Sequence, residues 1–529
     1  MPGGESAWIG GNGVVAASQP DAAAAGAEML RRGGTAVDAA IAAAAALTVV
    51  EPVSSGLGSD AFAIVCHQSH VFALNASGRS PQTPIDVAKG RIPEFGWPCV
   101  TTPGAVSGWA ALSDKFGKLG MTELLQPAIE LARDGYEVTP TIARVWRGLA
   151  ASYVKCPEVV RQFFPNGRGP DAGARVRLPE LARSLELIGE SNGASLYDGE
   201  LAARIVEYSG GTGGTLRKED LSSHRAEWVE PLHASYRNAR LHEMPPNSQG
   251  LAALIALGIL EHFDLTSKPA DCAESVHLQI EAMKLAFVDT YAHVADPAAM
   301  QSGLEELLSP LRLQTLAARI SLREARFPAT GTTPAGGGTT YLCTADANGM
   351  VVSYIQSSGP GFGSGIMIPG TGIALQNRGS AFDPDTRHPN AYAPGKRPFH
   401  SNCPALLMAH PETLMAFGCM GWSMQPQAHV QFVVHAIDHR WTPPEILAAP
   451  RWRIAVAEPA IVLERGFSNA IVKGLVERGH RIVETEKFFA ASTPFGSHLM
   501  FGGANMVCRV RNGWIAACDP RRDGLPAGS

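Results

Sequence analysis

The chain has 529 residues, 45% hydrophobic and 18% charged, enough for a large core and, on length alone, about two to four domains. A formal net charge of −5 and a pI near 6.4 exclude a basic footprint for nucleic acid and a polybasic membrane arm, leaving small-molecule or protein partners. The first basic residue is Arg31, the longest early apolar run (39–50) is about half a membrane span, and the nine cysteines form no C-x-x-C pair; a reducing cytoplasm is expected, without secretion, membrane insertion, disulfide scaffold or structural zinc.

In chain order, Pro20 and Asp21 open a helix that stops at Gly33-Gly34, and Thr35 with Asp38 caps a second, alanine-rich one whose composition implies close packing. Residues 60–81 read as a hairpin, 104–135 and 179–208 as helical, and 273–296 as an amphipathic helix. The pattern dissolves over 324–338 into Pro, Gly, Thr and Ala, a mobile connector, and strands follow. No repeat of fixed period is visible.

Residues 339–358 alternate as strand, Asn348-Gly349 turn and strand. A two-residue Asn-Gly loop predicts Thr339 opposite Ser358 and Thr340 opposite Ser357, so four hydroxyls gather at the open end of one hairpin. A slip of one residue would change the pairs and reverse the faces without dispersing the group.

Three glycines, 336–338, immediately precede this cluster. They suit a threonine hydroxyl that attacks the carbonyl before it, since glycine adopts the unusual backbone required. Water would then free a new N-terminal threonine whose α-amine, with a pKa of about 7.7 to 8.0, serves as base to its own hydroxyl. The spacing taken alone favours a plain glycine-rich linker entering a strand.

Larger blocks bear on the choice. The segments "TTYLCTADANGMVVSYIQS", "GFGSGIMIPGTGIALQNRGSAF", "PGKRPFHSNCPAL" and "FGCMGWSMQPQAHVQ", with "MPPNSQG", "TTPGAVSGW" and the 10–65 region earlier, resemble in order the γ-glutamyltransferase family of N-terminal-nucleophile hydrolases. The resemblance implies an α+β fold, an αββα sandwich, made by a precursor that cuts itself between Gly338 and Thr339. A large subunit (1–338, mainly helical, ending in the 324–338 linker) and a small one (339–529) would stay associated as one intertwined domain, with a homodimer of such heterodimers left open. It makes Thr339 the nucleophile, Thr340 and Ser357 its orienting hydroxyls, Gly421 and Trp422 the oxyanion-hole amides, and Arg79 the holder of a substrate carboxylate. It implies no cofactor or metal.

Where glutathione-acting members carry Asn, Gln and Asp against the glutamyl amine, this chain has Gly359, Arg378 and Ala381; the usual Ser-Ser pair is His400-Ser401. The amine loses its anionic partner, and Arg79 with Arg378 would favour a carboxylate. The pattern resembles the branch with glutathione hydrolase-like proteins, cephalosporin acylases and oxamate amidohydrolase. The expected activity is therefore hydrolysis of a small carboxylate-bearing amide, oxamate-like or an acyl-amide. The rivals are γ-glutamyl hydrolysis or transfer on glutathione, and an uncleaved acid-binding protein without catalysis.

Other readings compete residue by residue. Without the resemblance Arg79 reads as a solvated or salt-bridged surface residue; Arg378 has the alternative of pairing with Asp383 or Asp385, and His400 is either a substrate contact or a satisfied core histidine. His435 and His439 lack the Glu and third ligand of a metal helix, and Gly359–Gly365 lacks the dinucleotide fingerprint, fitting instead backbone passing close to Thr339. Residues 383–398, with Tyr392, lie where some relatives carry a lid.

Overall fold

Helix Pro20–Arg31 begins on its proline, and helix Ala36–Val50 on the predicted box, in which Thr35 accepts from the Asp38 N–H and Asp38 accepts from the Thr35 N–H. All fifteen residues of the second helix are buried. Small side chains make this possible: a Cβ on Gly26 would lie 2.8 Å from the Ala39 carbonyl oxygen, so the two helices touch backbone to backbone.

The structure is a computed structural model that describes residues 7–85, 90–270, 272–326, 338–409, 413–455, 460–485 and 500–529. Two seven-stranded antiparallel sheets form its centre. One runs Ala527–Gly528, Gly13–Ala17, Thr340–Asp346, Val351–Ser357, Asp60–His67, His70–Ala76 and Glu227–Val229. The other runs Ala7–Gly10, Gly513–Cys518, Ala504–Val510, Thr413–Cys419, Ala405–Ala409, Ala239–Glu243 and Leu232–Tyr236. Both mix strands from the two sides of Gly338, so neither segment holds a complete sheet.

Side chains from the two sheets meet in a dry layer that includes Phe62, Ile64, Tyr341, Cys343, Leu406 and Val507. A second core joins the first sheet to the N-terminal helices, and a third joins the other sheet to helices Leu251–Leu260, Ala273–His293 and Met424–Ile437. The order is helix, sheet, sheet, helix, the expected αββα sandwich. Fourteen strand residues, 340–346 and 351–357, are all buried, because this hairpin is central in its sheet and covered on both faces.

Helix Ala273–His293 corrects the amphipathic reading. It is buried almost all round over its first four turns, with His277, Gln279, Glu281 and Lys284 inside. These polar residues find partners there: His277 Nδ1 lies 2.7 Å from His480 Nε2, and Lys284 donates to Glu281 at 2.8 Å. Most of the expected connector, 327–337, lies outside the described residues. Among the described residues all nine cysteines are free, and no helix is long and apolar enough to cross a membrane.

Candidate active site

The hairpin that begins at Thr340 closes differently from the two-residue expectation. Ala345 pairs with Val351 and Thr340 with Gln356, one residue out of the predicted register. The physical reason is Asp346, whose carboxylate accepts from the N–H groups of Asn348 and Met350 while its carbonyl accepts from Gly349 at φ +87°. Three residues, 347–349, therefore make the loop, and glycine occupies its left-handed position. The shift sets Thr339 level with Ser357 and turns Thr340 away: the Thr340 hydroxyl donates to the Gln356 carbonyl at 3.3 Å.

Thr339 Oγ1 lies 2.7 Å from the Gly338 carbonyl oxygen and 3.2 Å from Ser357 Oγ. Ser357 donates to that same carbonyl at 2.6 Å, and its oxygen accepts from the Gly359 N–H at 3.0 Å and from Arg378. The peptide carbonyl ahead of Thr339 is thus polarised by a hydroxyl that is itself backed by a cation. Gly338 has φ +149°, and a Cβ there would stand 2.2 Å from the Gly359 carbonyl oxygen and 3.1 Å from the Gly361 nitrogen. Backbone of the 359–365 glycine run does pass against Gly338, leaving no room for a side chain.

Arg378 does not pair with Asp383 or Asp385. It is fully buried, donates to Ser357 and, at 3.1 Å, to Ser401, and faces the Trp422 ring 5.4 Å from its centroid. Burial lowers its pKa to about 10, which leaves it a cation at neutral pH. Behind it lies Asp60, opposite Ser357 in the strand register. Burial raises the Asp60 carboxyl to about 7, against the pull of Arg378 and of hydrogen bonds from the Gly78 N–H at 2.9 Å and Gln376 at 2.7 Å.

His400 is enclosed. Its ring meets Phe62 edge-on, Nδ1 accepts from the Asn402 N–H at 3.1 Å, and the proton therefore belongs on Nε2, which faces Asp60 Oδ2 at 3.4 Å. Burial and Arg378 hold it neutral, well below the usual histidine range. Sequence patterns did not mark Asp60 for a role, although "GLGSDAF" belongs to the early block.

Gly421 and Trp422 both have positive φ, +117° and +59°, in the turn that starts helix Met424–Ile437. Among the described residues neither N–H finds an acceptor, as amides kept for a developing oxyanion require. Gln249 holds this turn: its Nε2 donates to the Trp422 carbonyl at 2.8 Å and to the Ser401 carbonyl. Gln249 lies in the "MPPNSQG" motif, but nothing local in the sequence distinguished it from its neighbours.

Arg79 lies in a cluster of ions. It pairs with Asp296 at 2.8 Å and Glu227 at 3.5 Å, and 40% of its side chain is exposed. Arg397 joins the cluster through a two-pronged pair with Glu227 at 2.8 and 3.0 Å. The 383–398 segment is laced to the irregular stretch after Arg79: Ser80 donates to the Ala393 carbonyl, Gly395 donates to the Ser80 carbonyl, and the Tyr392 hydroxyl accepts from the Ile85 N–H.

Gly359, the position of a lost family asparagine, is closed to side chains by φ +89° and by Asn377 Oδ1, which a Cβ would meet at 2.0 Å. Among the described residues, three groups with metal-ligand chemistry approach one another at Glu243, Cys403 and His429. His429 Nδ1 is 2.6 Å from Glu243 Oε1 there, the spacing of a direct hydrogen bond. His435 is instead stacked on Trp441, with ring centroids 4.3 Å apart.

The family model for gamma-glutamyltranspeptidase matches residues 22–529. The glutathione hydrolase-like YwrD proenzyme of Bacillus subtilis (strain 168) is 34% identical over 493 residues, covering 91% of this chain and 92% of that protein. The oxamate amidohydrolase proenzyme of Klebsiella pneumoniae subsp. pneumoniae is 33% identical over 498 residues, covering 91% and 92%. The solved cephalosporin acylase from Bacillus halodurans superposes with a TM-score of 0.91 at 40% identity, covering 100% of this chain and 98% of that one. The first two relatives are proenzymes by name, which implies one precursor giving two subunits. The chain thus belongs to the gamma-glutamyltranspeptidase family of N-terminal-nucleophile amidohydrolases.

Proposed function

We propose that the chain cuts itself between Gly338 and Thr339, and that freed Thr339 hydrolyses small amides bearing a carboxylate. In the first step Thr339 Oγ bonds to the Gly338 carbonyl carbon, the C–N bond breaks, and the hydroxyl proton passes to the departing amine. Water then cleaves the ester, leaving a Gly338 carboxylate and a free Thr339 hydroxyl and amine. The observation that carries this reading is the Gly338 carbonyl held between two hydroxyls, 2.7 Å from Thr339 Oγ1 and 2.6 Å from Ser357 Oγ.

In turnover the α-amine takes the Oγ proton as the oxygen attacks the substrate amide, and returns it to the leaving amine. The acyl-enzyme goes to water. The Gly421 and Trp422 amides receive the oxyanion, each donor of this type being worth roughly 3 to 4 kcal/mol. Arg378 and Ser401 hold Ser357 in place, Thr340 closes the hairpin end, and His400 braces Asp60 behind them. Arg79, half exposed and with donors beyond those used by Asp296 and Glu227, takes the substrate carboxylate, and the 383–398 segment covers it. Free cysteines throughout support a reducing cytoplasm.

Gly359, Arg378 and Ala381 leave a glutamyl α-amine without a carboxylate, which favours a simple acid over γ-glutamyl substrates. A panel on matured protein tests this: oxamate and related acid-amides should turn over at least tenfold better than a γ-glutamyl anilide. High γ-glutamyl activity with transfer to an amino acid would overturn it.

A further inference from the structure

A separate cavity of about 170 Å³ lies against the second half of helix Met424–Ile437. Its wall is aromatic at Trp441, Trp452 and Phe467, with His435 stacked on Trp441 at an interplanar angle of 5°. Among the described residues, none of the lining side chains is an Asp, Glu, Lys or Arg, and burial holds His435 down to about 3, hence neutral. Three polar atoms of the lining residues are buried with no partner: Trp452 Nε1, Gln279 Oε1 and His435 Nδ1. Trp452 is 1% and Gln279 2% exposed, so each forgoes a hydrogen bond in a place where that is costly.

We propose that this cavity is a second small-molecule site, for an uncharged single-ring aromatic that carries one hydrogen-bond acceptor and one N–H or O–H donor. The volume sets the size, since a cavity of about 150 Å³ accommodates benzene. The walls set the planarity, and the absence of formal charge sets the neutrality. The Trp452 N–H requires an acceptor and Gln279 Oε1 a donor, which a purely apolar ring does not offer. The lining comes from both sides of the Gly338–Thr339 bond, with Ala270 and Gln279 from one and the aromatic wall from the other. On the cleavage reading above, an occupant therefore bridges the two subunits; binding itself does not depend on that reading.

Titration of 2-pyridone, which has both a C=O and an N–H, into matured protein tests the site by ligand-observed NMR and tryptophan fluorescence. One saturable site with Kd of about 1 mM or tighter is expected, with benzene binding more weakly. Trp452→Phe, which deletes only the N–H donor and trims the ring, should weaken binding about five- to tenfold. Ala270→Trp at the partly exposed rim should block it while leaving the fold intact, as judged by an unchanged melting temperature. Thr339→Ala should bind 2-pyridone as tightly as the parent, separating this cavity from the active site. No saturable binding up to about 10 mM, as expected if water alone fills the cavity, or equal binding by Trp452→Phe and Ala270→Trp, would overturn the proposal.

Discussion

Around Thr339 the polar groups are neutral hydroxyls and amides packed within 2.6 to 3.2 Å of one another, with one buried cation behind them. Around Arg79 they are full charges, two carboxylates against two guanidiniums, open in part to solvent. The first region gains its effect from position: a hydroxyl moved by one ångström no longer meets the carbonyl. The second gains its effect from charge, which falls off slowly with distance and is screened by water and salt. Substitutions should therefore act on rate in the first region and on affinity in the second.

Thr339→Ala should break the comparison most severely, abolishing both cleavage and turnover, a loss of about 10⁴ or more. Denaturing electrophoresis with N-terminal sequencing is the check, and a variant that still splits before residue 339 would show that another agent cuts the chain. Ser357→Ala removes the donor to the Gly338 carbonyl and should slow maturation by about 10²- to 10³-fold, measured as the half-life of the precursor band. Arg378→Lys keeps the charge but loses the fork shared by Ser357 and Ser401, and should fall between that variant and the parent.

Arg79→Ala should raise KM for a carboxylate-bearing amide about 10- to 100-fold with kcat nearly unchanged, the loss of one charge-assisted pair. A fall in melting temperature with KM unchanged would mean that Arg79 serves only the Asp296 and Glu227 ion cluster. The smallest effect concerns pH. Asp60 has a raised pKa, about 7 against 3.8, so between those values the unfolded chain has lost this proton while the folded one keeps it. Its contribution to stability therefore falls as pH rises from about 4 to 7 and is constant above, by a few kcal/mol at most. Asp60→Asn should flatten that slope in denaturant titrations at pH 4.5 and 7.5; an unchanged slope would place the titrating proton elsewhere.

Local signals carried much of this structure. Capping residues placed the two N-terminal helices, and the block beginning at Thr339 marked the hairpin whose hydroxyls gather at the Gly338 carbonyl. The hairpin register was missed by one residue because Asp346 binds its own loop, a side-chain effect that an Asn-Gly rule does not include. The helix 273–293 appeared amphipathic because its inward polar residues resemble a solvent face; only their partners, His480 among them, reveal that it is buried. Asp60 and Gln249 escaped notice for a related reason, each being an ordinary polar residue until a distant segment is folded against it.

By itself, then, the sequence determined the caps of the N-terminal helices and set a glycine run directly against a threonine pair, because capping and glycine permissiveness are properties of adjacent residues. Tertiary structure alone decided that Arg378 turns inward to Ser357 rather than outward to Asp383 or Asp385, and that Arg79 already has carboxylate neighbours. Those choices depend on burial and on charges brought together across hundreds of residues, and such free energies arise only once the two sheets have closed on each other.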